Sequence, residues 1–305
     1  MYENPGGTEI TFKNKSLKRF ARKKFNKIGE IAIQSEIGNN LTFTIYNSKL
    51  SRFFREKINE FKNIKLVERI KKDYIPKHIA IIMDGNRRYA KQAGLKATKG
   101  HQIGKDKIEE TLDWCLELGI KNLTVYAFST ENFKRSPDEI RELMYLCRTE
   151  LDKAKSDSRI HKNKIKINVI GQLESLPKDI QQSAKELIEK TEMYEDNILT
   201  IALAYGGREE IIQAIKHIAE DVKTEKLKIK DINEGSVSSY LYTNGLPDPD
   251  LILRTSGEER ISNFLLWQVA YSEFYFSDVY WPAFGKKDFL HAIETYQQRK
   301  RRFGK

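Results

Sequence analysis

The spacing of apolar residues changes character at Tyr74. Upstream of it, Leu50, Phe53, Phe54, Ile58, Phe61, Ile64, Val67 and Ile70 recur about every 3.5 residues, with Lys and Arg between them. That spacing predicts an amphipathic helix over 50–72. Downstream, short runs of Ile, Val, Leu and aromatic residues predict strands at His78–Met83, Asn122–Phe128, Lys164–Ile170, Leu199–Ala204, Asp250–Leu253 and Glu273–Phe276. Amphipathic helices are expected between them, near 104–118, 137–156, 177–192 and 207–223. Buried strands separated by helices imply an α/β fold: one domain with a central, mostly parallel six-stranded sheet flanked by helices. Without an internal repeat or a Pro- or Ser-rich linker, 74–305 is expected to be that single domain. The first twelve residues read as a disordered start, and the LTFTIY run at 41–46 suggests a short strand.

Charge divides the chain at the same place. Residues 1–73 carry 17 Lys and Arg against 8 Asp and Glu, whereas the remainder carries 37 against 35. A nearly neutral body thus bears a basic, helical N-terminal extension. The helix at 50–72 suits packing on the body or a dimer contact, then attachment to an anionic membrane surface. Nucleic-acid binding rests on the basic arm alone and is not expected, because no recognised binding module is present. The 39% hydrophobic content supports a sizeable core. No apolar run is long enough to span a bilayer, and without an apolar h-region near the N-terminus no secretory signal is expected. Two cysteines, Cys115 and Cys147, form no framework and fit a reducing cytoplasm.

Candidate chemistry gathers after the predicted strands, where open parallel sheets bind ligands. Asp84-Gly85-Asn86-Arg87-Arg88 follows the first strand and Ser129 to Arg135 the second. Tyr205-Gly206-Gly207-Arg208 follows the fourth, and Arg254 to Asn263 the fifth. Arg88, Arg135, Arg254 and Arg260 offer planar forks that match phosphate oxygens. Asp84 among them suits a hard divalent cation such as Mg²⁺, which is held by one or two carboxylates plus substrate phosphates. Two or more phosphate groups with a metal are therefore expected. The chain has no G-x-x-x-x-G-K-[ST], no G-x-G-x-x-G after a strand, no G-x-S-x-G and no H-E-x-x-H. That argues against P-loop, dinucleotide, serine-hydrolase and zincin chemistry.

The segments IPKHIAIIMDGNRRYAK, YAFSTENFKR, AYGGREEI and LILRTSGEERISNFLLWQVAYSEFYFSDVYWP together resemble the cis-prenyltransferases, such as undecaprenyl and dehydrodolichyl diphosphate synthases. The resemblance covers about 74–305. It implies condensation of isopentenyl diphosphate with an allylic prenyl diphosphate of farnesyl or geranylgeranyl type, repeated with cis double bonds and assisted by Mg²⁺. The product would be a polyprenyl diphosphate, precursor of a glycosyl carrier lipid. By resemblance, Asp84, Asn86 and Asn132 are catalytic. Gly85, Asn86, Arg87, Arg88, His101, Ser129, Phe133 and Arg135 bind the allylic diphosphate. Arg254, Arg260, Ser262, Arg302 and Gly304 bind isopentenyl diphosphate, with the C-terminal R-x-G lent across a homodimer. Asp84 and Glu273 hold the metal. An apolar tunnel is expected from Leu143, Met144, Leu146, Cys147 and Leu151, with Ala127 and the Leu199–Leu203 strand facing it.

Three departures bear on substrate. Arg87 stands where many bacterial members have Gly. Ala97, flanked by Lys96 and Lys99, occupies a position where the family usually has Arg. Glu259 stands where some members carry His. They leave open a shorter product or a lavandulyl-type joining of two allylic diphosphates. A non-catalytic partner subunit would lack Asp84. The expected setting is the cytoplasm, with peripheral membrane contact through the basic arm.

Overall fold

The computed structural model describes residues 8–12, 31–37, 40–45, 56, 60 and 62–299. The chain divides into two compact units, Met1–Arg69 and Ile70–Lys305. The first contains strands β1 (Thr8–Phe12), β2 (Ile31–Ile37) and β3 (Asn40–Ile45), joined antiparallel in the order β1-β3-β2. The N-terminal extension is thus not purely helical. The expected irregular start gives way to a strand at Thr8, because β3 supplies a partner that local composition does not reveal. Of the helix expected at 50–72, residues 56, 60 and 62–70 are helical, Lys71 and Lys72 form a turn that ends it, and its other positions lie outside the described residues.

The second unit is built on one six-stranded sheet. Its strands are β4 (His78–Ile82), β5 (Asn122–Ser129), β6 (Ile165–Ile170), β7 (Asn197–Tyr205), β8 (Leu251–Thr255) and β9 (Glu273–Ser277). They run in the order β6-β7-β5-β4-β8-β9, every pair parallel. The helices are α1 (Asn86–Gln92), α2 (Ala97–Leu118), α3 (Pro137–Ala154), α4 (Ser158–Lys162), α5 (Lys178–Thr191), α6 (Gly207–Lys223), α7 (Glu234–Ser239) and α8 (Lys286–Gln298). Every residue of the central strands β4 and β8 is buried, and apart from His78, Arg254 and Thr255 they are apolar, while the edge strand β6 alternates.

Two features of this topology position the site. The chain leaves β4 toward β5, β7 and β6, then returns to β8 and β9 on the other side of β4. The strand order therefore reverses between β4 and β8, which opens a crevice beyond their carboxyl ends. A bulge between Tyr126 and Phe128 then breaks the register of β5 with β7. A bulge re-aims the residue it adds, here Ala127.

The core holds one ionisable group that constrains acid stability. His78 lies on the all-buried β4, its Nδ1 2.7 Å from the Pro247 carbonyl and its Nε2 2.8 Å from Thr124 Oγ1. A carbonyl only accepts, so Nδ1–H donates and Nε2 accepts from the hydroxyl. Burial pushes the His78 pKa down to about 4 from 6.5, against the Pro247 hydrogen bond and the Asp250 charge. The folded chain thus binds fewer protons than the unfolded one below pH 6.5, and stability falls as the pH drops through that window. We expect wild type to lose about 2.5 kcal/mol between pH 7 and 4.5 through this group. Urea unfolding at both pH values should show a smaller loss in His78→Gln.

Candidate active site

Asp84 follows the last turn of β4 and is held from several directions. Its carbonyl accepts from Thr255 Oγ1 at 2.7 Å and from the Trp281 amide at 3.0 Å. Its Oδ1 accepts from the Gly85 amide at 2.6 Å, and its Oδ2 from Arg254 Nη2 at 2.7 Å. Arg88 Nη2 lies 3.2 Å from Oδ1. Burial alone would raise the Asp84 pKa. The Arg254 hydrogen bond and charge, the Arg88 charge and the Gly85 amide outweigh it and hold the carboxyl below its ordinary range. Gly85 is left-handed, at φ 101°, and a Cβ there would meet Tyr280 at 2.8 Å and Ser256 at 2.9 Å. No other residue fits this turn.

Arg254 is 3% exposed and forks between three acceptors. Besides Asp84, they are Ser262 Oγ at 2.7 Å and the Arg260 carbonyl. Arg88 donates to Glu258 Oε1 at 2.9 Å and to Ser256 Oγ, and its guanidinium lies 5.7 Å from the Tyr280 ring centroid. Glu258 also pairs with Arg260, so one carboxylate links the β4 and β8 cations. The loop after β8 holds Ser256, Ser262, Asn263 and Leu265 at positive φ. Such strain persists only where surrounding contacts over-determine the backbone. Here Asn263 supplies several of them: its carbonyl accepts from the Gly207 amide, its Oδ1 from the Arg208 amide, and its Nδ2 donates to Glu131 Oε1.

A second group of cations converges on Glu139. Ser136 caps α3 by accepting from the Glu139 amide, which fixes that carboxylate in the first turn. Its Oε1 lies 3.0 Å from Arg135 Nη1, 3.6 Å from His101 Nε2 and 3.7 Å from Arg87 Nε. Burial, with the Arg135 and Arg87 charges, lowers the His101 pKa despite Glu139. The buried His101 Nε2 has no hydrogen-bond partner among the described residues. Asn86 donates to the Met83 carbonyl at 3.1 Å, while its Oδ1 is buried without a partner. Gly104 of α2 makes room for it, since a Cβ there would lie 2.2 Å from Asn86 Oδ1.

Two cavities meet among these groups, sharing Met83, Asp84, Asn86, His101 and Arg135. One, of about 620 Å³, is lined by Arg87, Arg88, Lys91 and Ala97. The other, of about 730 Å³, runs between the sheet, α2 and α3. Its walls include Leu199, Ile201 and Leu203, which share one face of β7, and Leu143, Leu146 and Leu151 of α3. Cys147 and Ala127 line it as expected, whereas Met144 does not. A cationic chamber opening into a long apolar one suits an amphiphile with an anionic head and a hydrocarbon tail.

The expected site residues sort unevenly. Asp84, Gly85, Asn86, Arg87, Arg88, His101, Ser129, Asn132, Arg135, Arg254 and Ser262 line one or both cavities. Arg260 joins them through Glu258. Asn132 accepts from the Ser129 amide at 3.1 Å, so it also braces its own loop. Phe133 packs edge-on against buried Phe128 and lines neither cavity. Glu273 opens β9, pairs in register with Leu251, and binds Arg299 Nη1 at 2.7 Å. Arg254 pairs three residues further along, so Glu273 lies about 10 Å toward the amino edge of the sheet. Arg302 and Gly304 lie outside the described residues.

Among the described residues, no three His, Cys, Asp or Glu side chains gather as a metal cluster. Asp84 offers one hard carboxylate, and the unpartnered Asn86 Oδ1 lies two residues on. That set fits Mg²⁺ carried largely by a diphosphate, not a cation caged by protein.

The family model described as undecaprenyl diphosphate synthase matches residues 82–304. The chain belongs to the cis-prenyltransferase family. It is 54% identical over 240 residues to the geranylgeranyl-diphosphate-specific tritrans,polycis-undecaprenyl-diphosphate synthase of Thermoplasma volcanium, covering 79% of this chain and 93% of the relative. Its identity to the enzyme of the same name from Pyrococcus abyssi is 51% over 240 residues, covering 79% and 91%. A crystal structure of lavandulyl diphosphate synthase from Lavandula x intermedia, with dimethylallyl diphosphate, aligns with a TM-score of 0.73 at 36% identity. It covers 76% of this chain and 99% of that one. As a cis-prenyltransferase, the protein is a transferase that elongates prenyl diphosphates. No helix among the described residues is long and apolar enough to cross a membrane.

Proposed function

We propose that this cis-prenyltransferase condenses isopentenyl diphosphate head-to-tail with an allylic prenyl diphosphate of geranylgeranyl size, yielding an undecaprenyl-type diphosphate that serves as a glycosyl carrier lipid precursor. The observation that carries this reading is the apolar cavity opening into the cationic one at Asp84 and Arg254. A cavity of ~150 Å³ holds the six carbons of benzene, or about 25 Å³ per carbon. A twenty-carbon tail then occupies about 500 Å³, within the 730 Å³ present.

In this reading, the C1–O bond of the allylic substrate breaks and diphosphate leaves with the electron pair. The π electrons of isopentenyl diphosphate form the new bond to that C1. A proton lost from its C2 restores a double bond. Arg87, Arg88 and Arg135 bind the allylic diphosphate in the cationic cavity and neutralise the charge it gains on departure. His101 offers the diphosphate a hydrogen bond from its buried, unpartnered Nε2. Arg254, Arg260 and Ser262 orient isopentenyl diphosphate, and Asn86 assists loss of the proton. Asp84 would hold Mg²⁺, which supplies Lewis-acid assistance to the departing diphosphate. The apolar walls exclude water from the reacting carbon.

We further propose a homodimer, in which the C-terminal R-x-G completes the partner's site, and peripheral membrane contact through the basic extension. The 17 to 8 excess of basic residues in 1–73 supports the latter. Deleting that segment should abolish retention on anionic liposomes.

The test is incubation of the protein with Mg²⁺ and labelled isopentenyl diphosphate. Dimethylallyl, geranyl, farnesyl and geranylgeranyl diphosphates are supplied in parallel. The expected result is a ladder of five-carbon steps, strongest with the geranylgeranyl primer. Product from allylic substrate alone, without isopentenyl incorporation, would favour the lavandulyl-type reaction and direct attention to Ala97 in the cationic cavity.

A further inference from the structure

We propose that Glu258 is a built-in competitor of diphosphate, drawing Arg88 and Arg260 back from the anion so that released diphosphate leaves and the lengthened chain changes sites. The inference rests on the elongation reading above. Head-to-tail joining breaks the C–O bond of the allylic partner and keeps that of isopentenyl diphosphate. After each addition the freed diphosphate therefore stands among Arg87, Arg88 and Arg135. The head of the lengthened chain stands at Arg254, Arg260 and Ser262. A second addition requires the first anion to depart and the second to cross to the vacated cations. Arginines that hold a polyanion firmly oppose both movements.

Glu258 is placed to loosen that hold at both sites. Its Oε1 accepts from Arg88 Nη1 at 2.9 Å, and its Oε2 pairs with Arg260 Nη1. Arg88 keeps Ser256 and Asp84 as partners whichever way Glu258 lies, so Glu258 is its exchangeable one. The Arg260 guanidinium has no other side-chain partner among the described residues. Asp84 also joins the two sites, through Arg88 and Arg254, but it would carry Mg²⁺, which attracts diphosphate. Glu258 lines neither cavity and is left to compete. The Glu258, Arg88 and Arg260 side chains are 29%, 41% and 63% exposed, and ion pairs that reach solvent are weak. From Glu258 to Ile261 no backbone amide donates to another described residue, so no ladder fixes the carboxylate in place. An arriving diphosphate displaces these pairs, and they re-form as it departs.

The test titrates inorganic diphosphate with Mg²⁺ into the full chain, a measurement that needs no turnover. Glu258→Gln keeps the shape and removes the charge, and should bind diphosphate about ten-fold more tightly than wild type. With isopentenyl and geranylgeranyl diphosphates supplied, the same variant should show a lower KM for isopentenyl diphosphate together with a lower kcat. Glu258→Ala should shift all three quantities in the same direction, and replaces the Gln variant should that one not fold. Glu259→Gln removes an equal charge from the exposed next residue, which forms no ion pair among the described residues. It should leave diphosphate affinity within about two-fold of wild type. Affinity unchanged or weakened in a folded Glu258 variant overturns the competitor and makes Glu258 a brace that holds the arginines for substrate. Equal tightening by Glu259→Gln also overturns it, because loop charge alone would then act. Absence of any ladder from wild type overturns the elongation reading, while the titration still decides whether Glu258 competes with diphosphate.

Discussion

Asp84→Ala is expected to lower isopentenyl incorporation by about a thousand-fold or more. Two effects combine in that substitution. The carboxylate that would hold Mg²⁺ on the diphosphate is removed. The Arg254 side chain, 4% exposed, also loses its carboxylate partner at 2.7 Å. Leaving one member of a buried pair unmatched destabilises by about 3 kcal/mol. Urea unfolding separates the two contributions, and so does the neighbouring variant Asp84→Asn. Asn keeps an oxygen for the Gly85 amide but carries no charge. It should be nearly as inactive as Ala while folding better. Activity that tracks the folded fraction of each variant would place Asp84 in the scaffold and not in the chemistry.

Arg254→Lys is expected to reduce kcat/KM for isopentenyl diphosphate by about a hundred-fold, although the charge is retained. The guanidinium satisfies Asp84, Ser262 and the Arg260 carbonyl together. An ammonium is a point donor on a flexible stem and cannot reproduce that fork. The substitution also weakens the interaction that most strongly counters burial at Asp84, so the Asp84 pKa rises. The ionised form then requires a higher pH, and the acid limb of the pH–rate profile should move upward. A lower rate with an unmoved acid limb would mean that Arg254 acts on substrate alone.

Much of this arrangement is legible in the sequence, for definite reasons. The central strands of the parallel sheet are buried on both faces, so their cores announce themselves as apolar runs, β4 most plainly. The carboxyl-end rule then collects Asp84, Ser129, Gly206 and Arg254 without knowledge of their neighbours. What the sequence conceals is pairing over long separation. Glu258 touching Arg88, Asn263 touching Glu131 and Arg208, and Glu139 touching His101 depend on strand order and loop backbone. No local periodicity encodes them. The run of non-glycine residues at positive φ after β8 is equally silent, because Ser, Asn and Leu carry no signature of that conformation. The register of β9 with β8, which sets Glu273 opposite Leu251 toward the amino end of the sheet, is likewise absent from the local sequence. Met144 fails for a simpler reason. Residues 143, 146, 147, 150, 151 and 154 form one helical stripe on α3, and 144 falls beside it.

The arrangement of head and tail can be tested without relying on turnover. Geranylgeranyl diphosphate carrying a photoreactive group at the end of its tail would be bound with Mg²⁺ and irradiated, and the labelled peptides sequenced. The label is expected on α3 between Leu143 and Ala154 or on β7 between Asn197 and Tyr205, and should be lost when inorganic diphosphate competes. Label confined to residues outside the cavity, such as the exposed Ile212 and Ile215 of α6, would contradict it.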